Sequence, residues 1–588
     1  MAALPGFVLR RLYVAKSLLN TPQGCEFALR NRVGTGTLTG VQGIDIDDSP
    51  HPVSSLTVLL PGGESRPAGG ITPDAPLATS SGAAVTFQLK DVHLPPGRHA
   101  IRLRLLTREI GVVELEVTDE VGQQPGAAQP GAVQTVPKTA SPAHEAAEPA
   151  AAALARPMRI AIIGAGSAVF SRQLMADILT APGLETGTFV LVDIDAKRLE
   201  LAQRIGEMMA AASGRRWRVQ ATRDRRKALR GCDYVINTIE VAGLRNVRPD
   251  YEIPLKYGVD QCIGDTVGPG GIFKMLRTGP AWLEILRDVE RICPRAVVMN
   301  YTNPMSALTL LALRATRLSV VGLCHSVQNT AEQLAGYLDV PGEELQWRCA
   351  GINHLAWFTE LRCRGQDMYP RLAELSRDPE LYEADPVRFE VMRHFGAFVT
   401  ESSGHLSEYL PYFRKRPDLL ARYSRGGYRG ESGYYANNWP AWRRGGDDSI
   451  RETLDGRTPL TLARSDEYAS LIIEGIECGR PRVVYGNVQN GGLIDNLPAA
   501  GCVEVAICAD ANGLHPARFG PLPPQMAALD AVHMSIHELM VTAVLGQDLG
   551  AARHALLLDP LTAAVCSPEE IDALFNEMVK AERRDLPR

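Results

Sequence analysis

Residues 121–157 constrain the rest of the chain most, because they hold 12 Ala and 6 Pro and almost no large apolar side chain. Such a segment cannot bury enough surface to offset the entropy of ordering it. It reads as a linker, disordered by composition, that splits the 588 residues into two separate folding problems. One is a short N-terminal piece, 1–120. The other, 158–588, is long enough for more than one lobe.

Residues 1–120 read as β. Phe7–Val14, Ala84–Leu89, His99–Leu106 and Gly111–Val117 are short runs rich in Val, Leu and Phe, several of them alternating. Turn clusters such as Pro61-Gly62-Gly63 and Pro95-Pro96-Gly97 punctuate them. The expectation is a small all-β sandwich module. It carries no catalytic constellation. Its Phe7, Tyr13, Phe27 and Phe87 serve equally as core or as a binding face, so carbohydrate, a partner protein or no ligand all remain open for it.

From 158 onward, strands alternate with helices. Arg159–Ile163 is a short apolar strand, a helix follows from about Ser171, and Phe189–Val192, Tyr234–Asn237, Ala296–Asn300 and Val320–Cys324 each precede helical sequence. That order implies a Rossmann-type, doubly wound parallel sheet over 158–349. The mixed α and β segments of 350–588 are expected to form a substrate, metal and oligomerisation lobe over the strand ends. The fold class is therefore α/β with a C-terminal α+β lobe, preceded by the all-β module.

Composition excludes some partners. A net charge of −5, with 22% charged and 45% hydrophobic residues, is ordinary for a globular protein. It lacks the basic excess that a nucleic-acid partner calls for. Apolar runs such as Leu308–Ala312 fall far short of a bilayer span. The N-terminal sequence meets Arg10 and Arg11 without the apolar stretch of a signal peptide. We expect a cytoplasmic protein with no membrane and no nucleic-acid partner. The 11 cysteines form no CxxC pair, so most are expected to be small buried hydrophobes.

Between the first strand and its helix stands Gly164-Ala165-Gly166-Ser167-Ala168. Gly164 permits a tight turn, Gly166 lets the backbone approach a pyrophosphate, and the helix N-terminus supplies free N–H groups. A third glycine is missing, with Val169 in its place. Asp193 ends the next strand, where a carboxylate accepts bonds from ribose hydroxyls and disfavours a 2′-phosphate. NAD is therefore expected rather than NADP. The alternative is a glycine turn selected only for close packing.

Asn303-Pro304, Cys324-His325 and Asn353-His354 all fall at or after predicted strand ends, where ligands of open α/β sheets bind. A thiolate and an imidazole, Cys324 and His354, suit a sparse transition-metal site; a core Cys and a turn His read equally well from spacing alone. Asp265 sits in a glycine-dense loop, as a group orienting metal-bound water or substrate or as a cap. Thr400–Tyr409 concentrates acid–base side chains that double as a helix start.

Taken together, Gly164-Ala165-Gly166-Ser167, the Asn303-Pro304 turn, Cys324-His325-Ser326-Val327 and Gly351-Ile352-Asn353-His354 resemble glycoside hydrolase family four. Gly486-Asn487-Val488, Asp495-Asn496-Leu497-Pro498 and Val503-Glu504-Val505 extend the likeness, which covers 158–588 and leaves 1–157 outside. The Cys-His-Ser-Val run is similar to the α-galactosidase subgroup, with α-glucosidase and α-galacturonidase as the alternatives. The resemblance implies a lactate/malate dehydrogenase-like fold, NAD, Mn2+ or another divalent transition metal, a small-molecule α-glycoside substrate and a homodimer or homotetramer. It also implies hydrolysis by oxidation at sugar C3, elimination across C2, addition of water and reduction.

Residue by residue, the resemblance makes Cys324 and His354 metal ligands. Gly164, Gly166, Ser167, Ala168 and Asp193 become cofactor contacts, and Asn303 and Asn353 substrate contacts. Asp265 acts near the metal or its water, and His325 assists the leaving group. The C2 base falls within Glu401–Tyr409; Ser402 stands opposite the family's base and is a poor one unaided, which leaves Glu401, His405 and Tyr409. Two other readings compete: a 2-hydroxy-acid dehydrogenase, which would need no metal, and a non-enzymatic sensor, which would not keep the ligand pair.

Overall fold

The computed structural model describes residues 12–14, 17–30, 36–60, 65–73, 75–79, 84–107, 111–121, 156–465 and 467–586. The chain divides into two compact units, Met1–Ala151 and Ala152–Arg588. Most of the expected linker (122–155), most of Phe7–Val14 and the Pro61-Gly62-Gly63 turn lie outside the described residues.

Among the described residues the first unit has two five-stranded sheets. Gly24–Arg30 pairs antiparallel with Ala84–Lys90, and Gly97–Thr107 with Gly111–Val121. Strict alternation aims one face inward: Val85, Phe87 and Leu89 are buried from one strand, Ile101, Leu103 and Leu105 from another. Phe27 and Phe87 stack at 5.6 Å in this core. Each such buried ring is worth roughly 1.5–3 kcal/mol, and burial assigns both to packing.

The second unit is built on one 13-stranded sheet, its strands numbered here in chain order. They are β1 Met158–Ile163, β2 Thr186–Val192, β3 Arg216–Thr222, β4 Tyr234–Asn237, β5 Val297–Asn300, β6 Ser319–Gly322, β7 Leu345–Ile352, β8 Leu355–Cys363, β9 Gln366–Asp367, β10 Phe398–Val399, β11 Arg482–Gln489, β12 Cys502–Asp510 and β13 Gly513–Pro516. The order β3-β2-β1-β4-β5-β6 is parallel, the dinucleotide-fold order. Its central strands read as continuous apolar runs because helices cover both faces; all four residues of β4 are buried. The sheet then continues antiparallel as β11-β12-β7-β8-β9. The two halves join where Gly322 of β6 pairs with Asn487 of β11, and β12 joins β7 through Glu504 and Gly351.

Eight helices matter to the site: α1 Ala168–Thr180, α2 Ala196–Ala212, α3 Gly268–Ile292, α4 Met305–Ala315, α5 Ser326–Leu338, α6 Ser403–Tyr409, α7 Tyr434–Leu454 and α8 Pro524–Gly546. Among the described residues α8 alone is long and apolar enough to cross a membrane. Half of it is buried, with Ile536, Met540 and Val544 feeding the core against α3 and α4.

Three expectations need correction. The first helix begins at Ala168, not about Ser171, so Val169 lies in its opening turn. The strand expected at Val320–Cys324 ends at Gly322 and leaves Cys324 in the following loop. β3 was not foreseen: it is an edge strand, its sequence (Arg-Trp-Arg-Val-Gln-Ala-Thr) half polar because one side faces water.

Candidate active site

The glycine loop is shaped by contact. Gly164 has φ +90°, and a Cβ there would lie 2.6 Å from the Thr238 carbonyl carbon. At Gly166 a Cβ would meet the Asp193 carboxylate at 2.5 Å, and the Gly166 N–H donates to Asp193 Oδ2 at 2.7 Å. Asp193 Oδ1 accepts from Asp195 N, so Asp193 ties the loop to the next turn. Ser167 precedes α1 without a side-chain cap. The N–H groups of Ala168 and the residues after it are therefore the unsatisfied donors of a helix start. Arg198 Nε donates to Gly166 O, and its Nη1 reaches Asp447 of α7 at 2.7 Å. Both glycines are thus required by close approach of the protein itself, Gly164 to the Thr238 backbone and Gly166 to Asp193.

Cys324 and His354 are 30 residues apart in sequence and adjacent in space, Sγ to Nε2 3.3 Å. Cys324 follows β6, and His354 sits at φ +65° in the turn between β7 and β8. His405, on α6, places its Nε2 3.0 Å from His354 Nδ1. Its own Nδ1 faces Glu408 Oε2 at 3.5 Å. Glu408 accepts the N–H groups of Cys262, Ile263 and Gly264 at 2.7, 2.6 and 3.0 Å. Ser402 caps α6 by accepting from His405 N. Glu401, at φ +76°, brings Oε1 to 3.9 Å from His354 Nε2.

Burial and charge set the protonation of this group. Burial lowers the His354 imidazole to about 4 and pushes the Cys324 thiol up. Burial also opposes charge on Glu401, yet His354 and His405 outweigh it and hold the carboxyl at about 2. For His405 burial lowers and Glu408 raises, with Glu408 winning at about 9. Glu504, buried and with Oε2 unpartnered, is lifted to about 7 by desolvation. Among the described residues no group of three or more His, Cys, Asp or Glu is arranged to hold a metal. The donor set is thus a thiol and an imidazole with unpartnered polar atoms around them, a chemistry that suits a two-ligand transition-metal site open to substrate oxygens.

Asp265 does not cap α3. Its carboxylate accepts from Thr266 Oγ1 at 2.7 Å, Lys274 Nζ at 3.2 Å and Asn303 Nδ2 at 3.2 Å. Burial opposes its charge, but Lys274 and His405 hold it below the usual carboxylate range. Lys274 also reaches Glu240 at 3.0 Å. The Asn303 turn is set by Asn300, whose side chain accepts from Asn237 at 2.8 Å.

The remaining sequence candidates scatter around this centre. Tyr409 is buried with its hydroxyl unpartnered, its ring 5.3 Å from His405 and 6.5 Å from His354; burial pushes its pKa well above 10. His325 turns outward to Glu467, Nδ1 to Oε1 3.3 Å, with its side chain 54% exposed, and that bond raises it to about 10. Asn353 is buried with both amide atoms unpartnered, near enough to Glu504 to lower it. Sequence reasoning missed Glu408, Lys274, Glu504 and Glu467. Only Glu408 and Glu504 lay in quoted motifs, and no spacing rule singles out the other two.

Residues 159–340 match the family model described as family 4 glycosyl hydrolase, and residues 349–562 match its C-terminal domain. Residues 8–122 match a model described as the N-terminal domain of hydroxymethylglutaryl-CoA reductase, which bears on the first unit alone. An α-galactosidase of Rhizobium meliloti is 38% identical over 437 residues, 73% of this chain and 89% of the relative. An α-galactosidase of Bacillus subtilis is 38% identical over 435 residues, 73% of this chain and 99% of the relative. A solved 6-phospho-α-glucosidase from gut microorganisms, in complex with NAD and Mn2+, superposes with a TM-score of 0.62 at 21% identity, covering 74% of this chain and all of that one.

Proposed function

The chain belongs to the family 4 glycosyl hydrolases and is a glycosidase, and on that premise we propose that it cleaves α-galactosides with NAD and a divalent metal, Mn2+ foremost, as resident cofactors. The observation that carries this reading is the Cys324–His354 pair, 3.3 Å apart at the carboxyl end of the sheet that carries the glycine loop. The two α-galactosidase relatives support the sugar. The NAD and Mn2+ bound by the solved relative support the cofactors.

Gly164, Gly166, Ser167, Ala168 and Asp193 would hold the dinucleotide, and Cys324 and His354 the metal. Once bound, these groups supply a reversible hydride acceptor and a Lewis acid for sugar oxygens. The protein's own side chains do the rest. Asn303 and Asn353 bind sugar hydroxyls, and Asp265, kept charged by Lys274, orients Asn303. Glu401, 3.9 Å from His354, and Tyr409, its ring 6.5 Å from His354, are the groups placed to take the C2 proton. His325, paired with Glu467 at 3.3 Å, is the acid we assign to the departing oxygen.

The test is release of p-nitrophenol from the α-galactoside, with the α-glucoside alongside, with and without NAD+ and Mn2+ in reducing buffer. Galactoside cleavage that needs both additives, with no net NADH, supports the reading. Cleavage of the glucoside alone overturns the sugar, and NADH accumulation on a hydroxy acid without cleavage overturns the chemistry.

A further inference from the structure

Phe, Trp and Tyr make up 6% of the chain, yet five of the fifteen residues from 428 to 442 are aromatic: Tyr428, Tyr434, Tyr435, Trp439 and Trp442. Their rings form one wall. Tyr428 lies parallel to Trp442 at 5.9 Å, and Tyr434 meets both edge-on at 4.9 and 5.3 Å. Tyr435 stacks on Trp439 at 5.5 Å and touches Trp442 edge-on at 6.2 Å.

The wall has a wet end and a buried end. Tyr428 is 51% and Trp442 38% exposed. Tyr435 and Trp439 line the small cavity that also contains Asp265 and Lys274. The turn bearing Tyr428 presses on α6, so that a Cβ on Gly404, next to His405, would lie 2.5 Å from the Tyr428 carbonyl oxygen. Tyr428 is close enough to Glu401 and Asp265 that their charges, after burial and Tyr434, help push its hydroxyl up to about 12.

Parallel rings left in water, joined through Tyr435 to the cavity at Asp265 and through the Tyr428 turn to α6, form an apolar surface with a polar tip on each tyrosine. A pyranose ring matches it, with C–H bonds on its faces and hydroxyls around its edge. Continuity with the cavity favours a ligand that enters together with the scissile bond. We propose that Tyr428 and Trp442 form an aglycone subsite that stacks the second sugar ring of a di- or oligosaccharide; this rests on the α-galactosidase reading above.

The experiment compares kcat/KM for an α-galactosyl-glucose disaccharide with that for methyl α-galactoside, which has no second ring, in the full chain and in Tyr428→Ala and Trp442→Ala. The expected result is a fall of about tenfold in the disaccharide-to-methyl ratio in each variant, the size of one lost aromatic contact. An unchanged ratio overturns the proposal. So does an unchanged ratio accompanied by a smaller particle in sedimentation velocity, which would assign the wall to a second copy of the chain. If the wild-type protein cleaves neither substrate, the α-galactoside reading fails. Tryptophan fluorescence during titration with glucose then decides the subsite: a saturable change lost in Tyr428→Ala supports it, and no change overturns it.

Discussion

Replacing His405 with Leu removes the one side chain that, among the described residues, bonds His354 Nδ1. With His354 Nε2 on a metal, its Nδ1–H would donate to His405 Nε2, so metal binding would draw from His405 the second proton that Glu408 otherwise holds on it. Leucine breaks this chain at the 3.0 Å bond. Loss of such an outer partner costs about 10–100-fold in metal affinity, roughly 1.4–2.7 kcal/mol. Folding should survive, because Glu408 keeps three backbone N–H donors from Cys262, Ile263 and Gly264. Leucine is also close to imidazole in volume. The assay is Mn2+ titration followed by paramagnetic resonance of the free ion, with thermal unfolding at fixed Mn2+ as a second readout. His405→Gln, which can still bond, should recover part of the affinity. A folded His405→Leu that binds Mn2+ within twofold of wild type would refute the reasoning.

Arg277→Met should lower the stability of the second unit by about 3–5 kcal/mol. It strands Asp250 and Glu582, which now receive the guanidinium at 3.1 and 2.8 Å in a buried cluster; a shift in the urea midpoint reads the loss. His537 is lowered to about 3 by burial. Between about 3 and 6.5 the unfolded chain therefore holds the extra proton, and stability falls as pH drops through that window. His537→Leu should flatten the fall by up to about 1.4 kcal/mol per pH unit, with little change above pH 7; an equally steep profile would sink the assignment. Cys324→Ala should abolish Mn2+ binding and hydrolysis together, and prolonged peroxide without reductant should inactivate the wild-type protein. Full activity after either treatment would remove Cys324 from the site.

The parallel half of the sheet was legible because its signals are local. β1 and β4 are short apolar runs bounded by turn residues, and the glycine turn follows one of them at once. The antiparallel half was not, since β11 and β12 insert between β6 and β7 through pairings more than a hundred residues apart, which no period in the sequence encodes. The same divide runs through the site. Cys324 and His354 were named from motifs, but the bond linking His354 to His405 and Glu408 depends on the loop at 262–264 supplying backbone donors. Lys274 reads as one more helix cation until Glu240 and Asp265 are seen on either side of it. The three-residue error at the start of α1 has a plainer cause: Ser171 is a good cap by type, but the turn at Gly164 already directs the chain into a helix at Ala168.

The continuous 13-stranded sheet also limits how the molecule moves. Hinged enzymes admit substrate by swinging one lobe from another about a few loop residues. Here the strand after which Cys324 lies and the strand before His354 belong to one ladder, tied through Gly322–Asn487 and Gly351–Glu504. Opening a cleft between them would tear backbone hydrogen bonds in the protein interior. Outside the ladder lie the turn at 427–430 and α7, whose start is held to the 261–262 loop by Gly433 N–H to Gln261 O at 2.8 Å and Tyr435 N–H to Cys262 O at 3.0 Å. A slow lobe closure is then disfavoured, and the glycine loop and the Cys324–His354 pair keep their spacing because one ladder carries both.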